Sequence, residues 1–258
     1  MQLAGVAGTA VSAARVRAMG SARPDALFHD PYAAAFAALQ PQVDEGPVSA
    51  ERRALAFHVV IRTPFYDDFL LRAGCPQVVV LGAGLDTRAF RLAVPAQTRW
   101  FEVDRAEVFA VKDAVLTDVD PACSRTTVAA DLTGDWSSSL QAAAFDPSVP
   151  TAWLIEGVFA YLSSTQAAHV LARVDAASAV GSAVAFEKPH GRRRLAAADV
   201  QATAGLWQEG LAPAELDRLR SSGWSIREHL LSEVAASYGR PVRRASDSAF
   251  LMARRVST

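Results

Sequence analysis

Four short segments carry the residues able to do chemistry. In Val78-Val-Val-Leu-Gly82-Ala83-Gly84-Leu-Asp86-Thr87-Arg88, a buried-strand pattern runs into two glycines and then into a helix start. Gly82 and Gly84 allow a sharp turn, so that the Gly82-Ala83-Gly84 backbone can approach a ligand with no Cβ in the way. Trp100-Phe-Glu102-Val-Asp104 places an acid at a strand end, twenty positions past Gly84. A carboxylate there accepts hydrogen bonds from both ribose hydroxyls of an adenosine. The competing reading of Asp104 is an N-cap for the helix that follows, and Glu102 reads as a neighbour of the site. Val128-Ala-Ala-Asp131-Leu132 suits adenine, the carboxylate taking the exocyclic amine and the next backbone N–H a ring nitrogen. Asp131 as a helix cap is the equal alternative. Trp153-Leu-Ile-Glu156-Gly157 ends a buried run on a carboxylate, which needs a cation to stay charged. The ammonium of a bound cofactor could be that cation. The third glycine of the dinucleotide fingerprint is absent, and Arg88 follows instead, which argues for a ligand without a pyrophosphate.

These residues need a scaffold that brings strand ends together. From Gln77 onward, short β-branched runs alternate with helical patterns, the signature of a parallel sheet with crossover helices. The expected strands are 77–82, 99–104, 126–130, 152–156 and 183–187, with helices at 86–92, 105–117, 135–144 and 164–179. Two closing strands, 225–231 and 249–254, are expected to pair antiparallel, because the segment between them is too short for a crossover with a full helix. The fold class is therefore α/β, a seven-stranded Rossmann-like sheet, mostly parallel with its last strand antiparallel. Before it, 9–20 and 31–39 read as helices, and a loop at 40–48 leads to a long helical segment from Ser49. Pro64 is expected to end or kink that segment, with Thr63 capping a second helix to Arg72. Residues 1–75 are thus expected to form a helical cap over a core spanning 76–258, one integrated domain.

Leu81-Gly-Ala-Gly-Leu-Asp-Thr-Arg88, Phe101-Glu-Val-Asp104, Ala129-Ala-Asp-Leu132 and Glu156-Gly-Val-Phe-Ala-Tyr161-Leu162 resemble the leucine carboxyl methyltransferase family. The resemblance is closer to its bacterial branch, which includes the tetracenomycin-type polyketide O-methyltransferases. Arg23-Pro-Asp-Ala-Leu-Phe-His-Asp-Pro-Tyr32 and Ile61-Arg62-Thr63 are similar to that branch's N-terminal segment, so the likeness runs from about 9 to 190. It implies S-adenosylmethionine as cofactor and S-adenosylhomocysteine as product. It also implies that Arg62 binds the methionine carboxylate, with Gly82, Asp104, Asp131, Leu132 and Glu156 as further contacts. The region 190–258 departs from the pattern, so acceptor specificity is what the resemblance supports least. Without it, Arg62 could equally pair with Asp67 or Asp68 on its own surface.

A carboxylate acceptor is ionised at neutral pH and needs no base, whereas a phenol with a pKa of about 10 benefits from one. Tyr161 and His190 are the candidates for such a role. Neither is compelling, which tilts the expectation toward a carboxyl acceptor while a phenolic natural product stays open. His58 is a further possible base, though it and His190 read first as structural or solvated, and Trp207 and Trp224 read as packing residues with a substrate wall as the alternative. A nicotinamide-dependent oxidoreductase and a cofactor-retaining binding protein, or one catalysing a rearrangement, are the competing functions.

Composition excludes other classes. The formal net charge is −1, so no global field draws the chain to nucleic acid or an anionic membrane. All but two of the 26 basic residues are arginine, a mark of coding bias rather than function. Arg192-Arg193-Arg194 reads as a solvated loop. Cys75 and Cys123 have neither metal-ligand spacing nor a disulfide framework, so no metal is expected and a reducing, cytoplasmic location is. The first residues lack the basic start of a signal peptide. The expected partner is a small-molecule acceptor, with no nucleic acid and no membrane.

Overall fold

The computed structural model describes residues 5–40, 47–188, 197–242 and 247–257. Three helices come first: α1 (Gly5–Ser21), α2 (Ala33–Ala37) and α3 (Ala50–Ala73). The sheet follows as β1 (Gln77–Leu81), β2 (Arg99–Asp104), β3 (Ser124–Ala129), β4 (Thr151–Ile155), β5 (Ala183–Glu187), β6 (Trp224–Leu230) and β7 (Ala249–Arg255). Between the strands lie α4 (Arg88–Arg91), α5 (Ala106–Val115), α6 (Trp136–Ala142), a 3-10 turn (Phe159–Tyr161), α7 (Ser164–Ala176), α8 (Ala198–Ala204), α9 (Pro213–Ser221) and α10 (Leu231–Ser237).

The strands are ordered β3-β2-β1-β4-β5-β7-β6. The first five are parallel, and β7 runs antiparallel between β5 and β6. Strand order reverses between β1 and β4, so their carboxyl ends open a crevice at the place where open α/β sheets take ligands. Alternate residues of each strand feed opposite faces: Val78 and Val80 pack with Ile61, Tyr66 and Val108, while Val79 and Leu81 pack with Trp136, Trp153 and Leu171. This period-two division is what a sheet covered on both faces requires.

One expectation is corrected. Pro64 does not divide α3, which runs unbroken from its Ser49 cap, where the side chain accepts from Arg52 N–H at 2.9 Å, to Gly74 at φ +64°. An interior proline costs a helix roughly 3 kcal/mol. Ile61, Phe65, Tyr66, Phe69 and Leu70 all bury against the core from this helix, at about 1.5–3 kcal/mol for each large side chain. Packing therefore outweighs local propensity, and Thr63, rather than capping a new helix, donates from Oγ1 to Val59 O at 2.8 Å. Among the described residues the segment between β6 and β7 holds only the seven-residue helix α10. An antiparallel pair needs no crossover, so a short helix suffices, and the expected pairing holds with Trp224 opposite Arg255. The helices α8 and α9 also form within the stretch that carried no element assignment. No helix among the described residues is long and apolar enough to cross a membrane.

Candidate functional site

The glycine turn is built as its sequence requires. Gly82 and Gly84 sit at φ +67° and +47°, conformations that side chains with a Cβ rarely adopt. A Cβ on Gly82 would lie 2.5 Å from Val158 Cγ2 and 3.7 Å from Leu132 Cδ1, so Gly82, Leu132 and Val158 meet at the head of the crevice. The backbone N–H groups of Gly82 and Ala83 donate to Val103 O at 2.8 and 3.1 Å, which ties the turn to β2.

Asp104 completes the turn. Its Oδ2 accepts Gly84 N–H at 2.6 Å and its Oδ1 accepts Arg105 N–H at 2.7 Å. Burial pushes its carboxyl above the usual range against those two bonds. The cap of α5 is Arg105, so Asp104 serves the glycine turn rather than the helix end. Glu102, within β2, belongs to a separate ionic triad with Lys112 at 2.8 Å and Arg125 at 2.8 Å.

Asp131 is exposed, and its Oδ1 accepts from the backbone and hydroxyl of Thr133 at 2.8 and 2.7 Å. Those bonds hold its carboxyl below the ordinary range. It forms a turn; the cap of α6 is Asp135.

The tips of β1, β4 and β5 and the middle of α3 bring together a buried ionic cluster. Glu156 is engaged at both oxygens, Oε1 with Arg62 Nε and Oε2 with Arg88 NH1, each at 2.7 Å. Arg62 NH1 also reaches Glu187 Oε1 at 2.9 Å. Arg88 Nε meets Asp67 Oδ1 at 2.6 Å, and its NH1 also pairs with Asp86. Arg91 holds Asp67 at 2.7 Å. Burial pushes Glu156 upward, but Arg88 and Arg62 more than reverse this and leave it below the ordinary range. Asp86 is likewise raised by burial and brought down to about 2 by Arg88 and Lys112. Glu187 goes the other way: burial raises it, and Arg62 does not fully compensate.

Of the residues expected from sequence, Arg62, Gly82, Ala83, Gly84, Asp104, Leu132 and Glu156 gather around the crevice, while Asp131 stands outside the ionic cluster. Arg62 does not pair with Asp67 or Asp68; those acids are held by Arg88, Arg91 and Arg72. Tyr161 is half-buried in the 3-10 turn. His190 and the Arg192–Arg194 run lie outside the described residues. The His58 ring lies 5.3 Å from that of Phe250, tilted by 49°, and Trp224 is buried with its indole N–H donating to Asp175 at 2.8 Å, both packing roles. Among the described residues no group of three metal ligands occurs.

Sequence reasoning passed over Glu187, Arg88 as an ion-pair hub, Tyr66, and Arg17. Glu187 carries the same signal that singled out Glu156, an acid at the tip of a buried strand. Arg17 joins α1 to the site, its guanidinium bonding Asp30 at 2.8 Å and Leu85 O at 2.7 Å. A Cβ on Gly84 would touch Ala10 at 3.4 Å, so α1 lies directly on the glycine turn.

Comparison with known proteins agrees with this architecture. A family model described as leucine carboxyl methyltransferase matches residues 10–175. Two relatives are named "Putative S-adenosyl-L-methionine-dependent methyltransferase". One, from Frankia alni, is 44% identical over 98% of this chain and 95% of its own length. The other, from Streptomyces avermitilis, is 41% identical over 94% of this chain and 91% of its own. A solved DUF574 family protein from Streptomyces avermitilis is similar in fold, with a TM-score of 0.61, 17% identity, and coverage of 94% of this chain and 96% of that one.

Proposed function

Because the chain belongs to the leucine carboxyl methyltransferase family and is an S-adenosylmethionine-dependent methyltransferase, we propose that it methylates an oxygen of a small-molecule acceptor. The acceptor is a carboxylate or a hydroxyl, and the setting is bacterial secondary metabolism, as the resemblance to polyketide O-methyltransferases suggests. One observation carries the reading: a glycine turn that a Cβ would fill lies beside a buried cluster of arginines and carboxylates at the β1–β4 switch point. A zwitterionic amino-acid group attached to an adenosine fits that donor set, whereas a pyrophosphate finds Arg88 turned inward onto Asp67, Asp86 and Glu156.

The bound cofactor supplies an electrophilic methyl group on a sulfonium, so the protein's tasks are alignment and exclusion of water. Asp104 would hold the ribose, Asp131 and Leu132 would border the adenine, and the Gly82-Ala83-Gly84 backbone, which a Cβ would fill, would face the remainder of the ligand. Arg62 grips the carboxylate through its guanidinium fork, and Glu156 fixes the orientation of Arg62. Every carboxylate of the cluster is engaged with an arginine, so none stands apart as a base. That favours an acceptor already ionised at neutral pH, a carboxylate over a phenol. Residues 1–75 act as a cap, with the Arg17–Leu85 bond joining it to the cofactor crevice.

Incubation with radiolabelled methyl donor and a panel of small carboxylic acids and phenols tests the function. Label recovered as a base-labile ester is expected first, and as an aryl ether second. Tight binding of NADH with no binding of S-adenosylhomocysteine would replace the reading by a nicotinamide enzyme. Retention of unreacted cofactor with no transfer to any acceptor would point to a binding role. The cap has its own test: amide exchange across residues 9–40 is expected to slow when S-adenosylhomocysteine is added. If only the Gly82–Asp86 turn responds, those helices are not a lid.

A further inference from the structure

The resemblance leaves Glu187 and Tyr66 without a role, yet Glu187 pairs with Arg62 and Tyr66 lies one turn from it on α3. Glu187 ends β5, its Oε1 is 2.9 Å from Arg62 NH1, and both its oxygens accept from Gly157 N–H, at 3.1 and 2.8 Å. Tyr66, one turn along α3 from Arg62, is fully buried, with its ring against Phe65 and Phe250. Its hydroxyl has no hydrogen-bond partner among the described residues. Four residues on from Arg62, Tyr66 lies on the same face of α3, and beyond burial itself the groups that act on its hydroxyl are Glu187, Glu156, Arg62 and Arg88. Buried hydroxyls are seldom left unpaired, because the desolvation is then uncompensated. The Tyr66 hydroxyl is therefore free to take a polar group from a ligand.

The charge pattern says which group. Among the described residues the ion pairs of this cluster join three arginines (Arg62, Arg88, Arg91) to four carboxylates (Asp67, Asp86, Glu156, Glu187), one cation fewer than anions. Glu156 has an arginine on each oxygen, and Asp67 is shared by Arg88 and Arg91. Glu187 has a single guanidinium nitrogen and one backbone N–H. If Arg62 turns its fork to the cofactor's carboxylate, Glu187 loses the one cation that pairs with it among the described residues, and a buried carboxylate needs a cation to stay charged. The ammonium sits on the same carbon as that carboxylate and arrives with it.

We propose that Glu187 and Tyr66 form the subsite for the ammonium group of the cofactor, Glu187 exchanging Arg62 for that ammonium and the Tyr66 oxygen accepting a further hydrogen bond from it. One ion pair, Arg62–Glu187, is replaced by two, Arg62 with the ligand carboxylate and Glu187 with the ligand ammonium. Glu156 keeps both arginines and orients them. This assignment rests on the methyltransferase reading above but concerns only one end of the ligand.

Calorimetric titration of the full-length protein tests it, with S-adenosylhomocysteine and with its deaminated analogue, which keeps the carboxylate and lacks the amine. Wild type is expected to bind the analogue at least twentyfold more weakly. Glu187→Gln should bind S-adenosylhomocysteine at least twentyfold more weakly than wild type does and discriminate the two ligands by less than threefold. Tyr66→Phe should weaken S-adenosylhomocysteine three- to tenfold while raising the melting temperature of the ligand-free protein, since it removes an unpaired buried hydroxyl without changing shape. That combination, higher stability with a smaller ligand-induced shift, is not what a packing defect produces. Unchanged discrimination in Glu187→Gln, tighter binding in it, or unchanged affinity in Tyr66→Phe overturns the assignment. Failure of wild type to bind S-adenosylhomocysteine at all would instead remove the cofactor-site reading on which it rests.

Discussion

Arg88→Met is expected to lower the unfolding free energy at neutral pH by about 3–5 kcal/mol, the scale of removing one partner from a buried ion pair. The Arg88 side chain is 4% exposed and serves three carboxylates, Asp67, Asp86 and Glu156, while its NH2 donates to Thr63 O at 3.3 Å. Methionine preserves much of the length and none of the charge. Asp67 would retain Arg91 and Glu156 would retain Arg62, but Asp86 would lose its main partner. The pH dependence follows with a definite sign. In wild type the Asp86 carboxyl is depressed to about 2, so its stabilising contribution is complete above the unfolded value of about 3.9 and is lost as pH falls through 2. In the variant, burial without Arg88 favours the protonated acid, so acidification relieves the penalty. Urea unfolding should therefore show a large deficit at pH 7 that narrows near pH 4. A deficit below 1 kcal/mol at pH 7, or one indifferent to pH, would show that the cluster is not held together through Arg88.

Asp104→Ala should weaken S-adenosylhomocysteine binding by about 1.5–3 kcal/mol, the range for a lost hydrogen bond to a charged group, or roughly ten- to a hundredfold in the dissociation constant. The effect has two sources, because Asp104 also takes the N–H of Gly84 at 2.6 Å and so shapes the turn. Asp104→Asn separates them, keeping an oxygen for Gly84 while removing the charge, and should recover part of the affinity. Burial raises the Asp104 carboxyl, so in wild type the affinity should begin to fall at a pH above the ordinary aspartate range as the group protonates. An unchanged dissociation constant in a folded Asp104→Ala protein would remove the ribose from this position.

Much of the scaffold was legible in the residues themselves. Five parallel strands and the closing antiparallel pair follow from β-branched runs bounded by turn signals, and all seven lie close to where those runs fall. The glycine turn, Asp104 and Glu156 were legible for the same reason: in a parallel sheet a strand's carboxyl end is fixed by local pattern, and the ligand crevice must lie there. Strand ends defined in one dimension were enough to name the residues.

What local pattern could not supply was the set of partners. Pro64 signals a break that burial of its neighbours overrides. Arg88 lies beside Asp86 in sequence but joins Asp67 and Glu156 only once α3 crosses the tips of β1 and β4. The approach of Glu187 to Arg62 spans 125 residues and exists only because β4 and β5 lie side by side beneath that helix. A carboxylate at a strand tip is a property of the sequence. Whether an arginine, a backbone N–H or an unpaired tyrosine hydroxyl faces it depends on how elements far apart in the chain pack together. The charge a site leaves uncompensated, and hence the ligand group it accepts, is therefore decided by the tertiary structure.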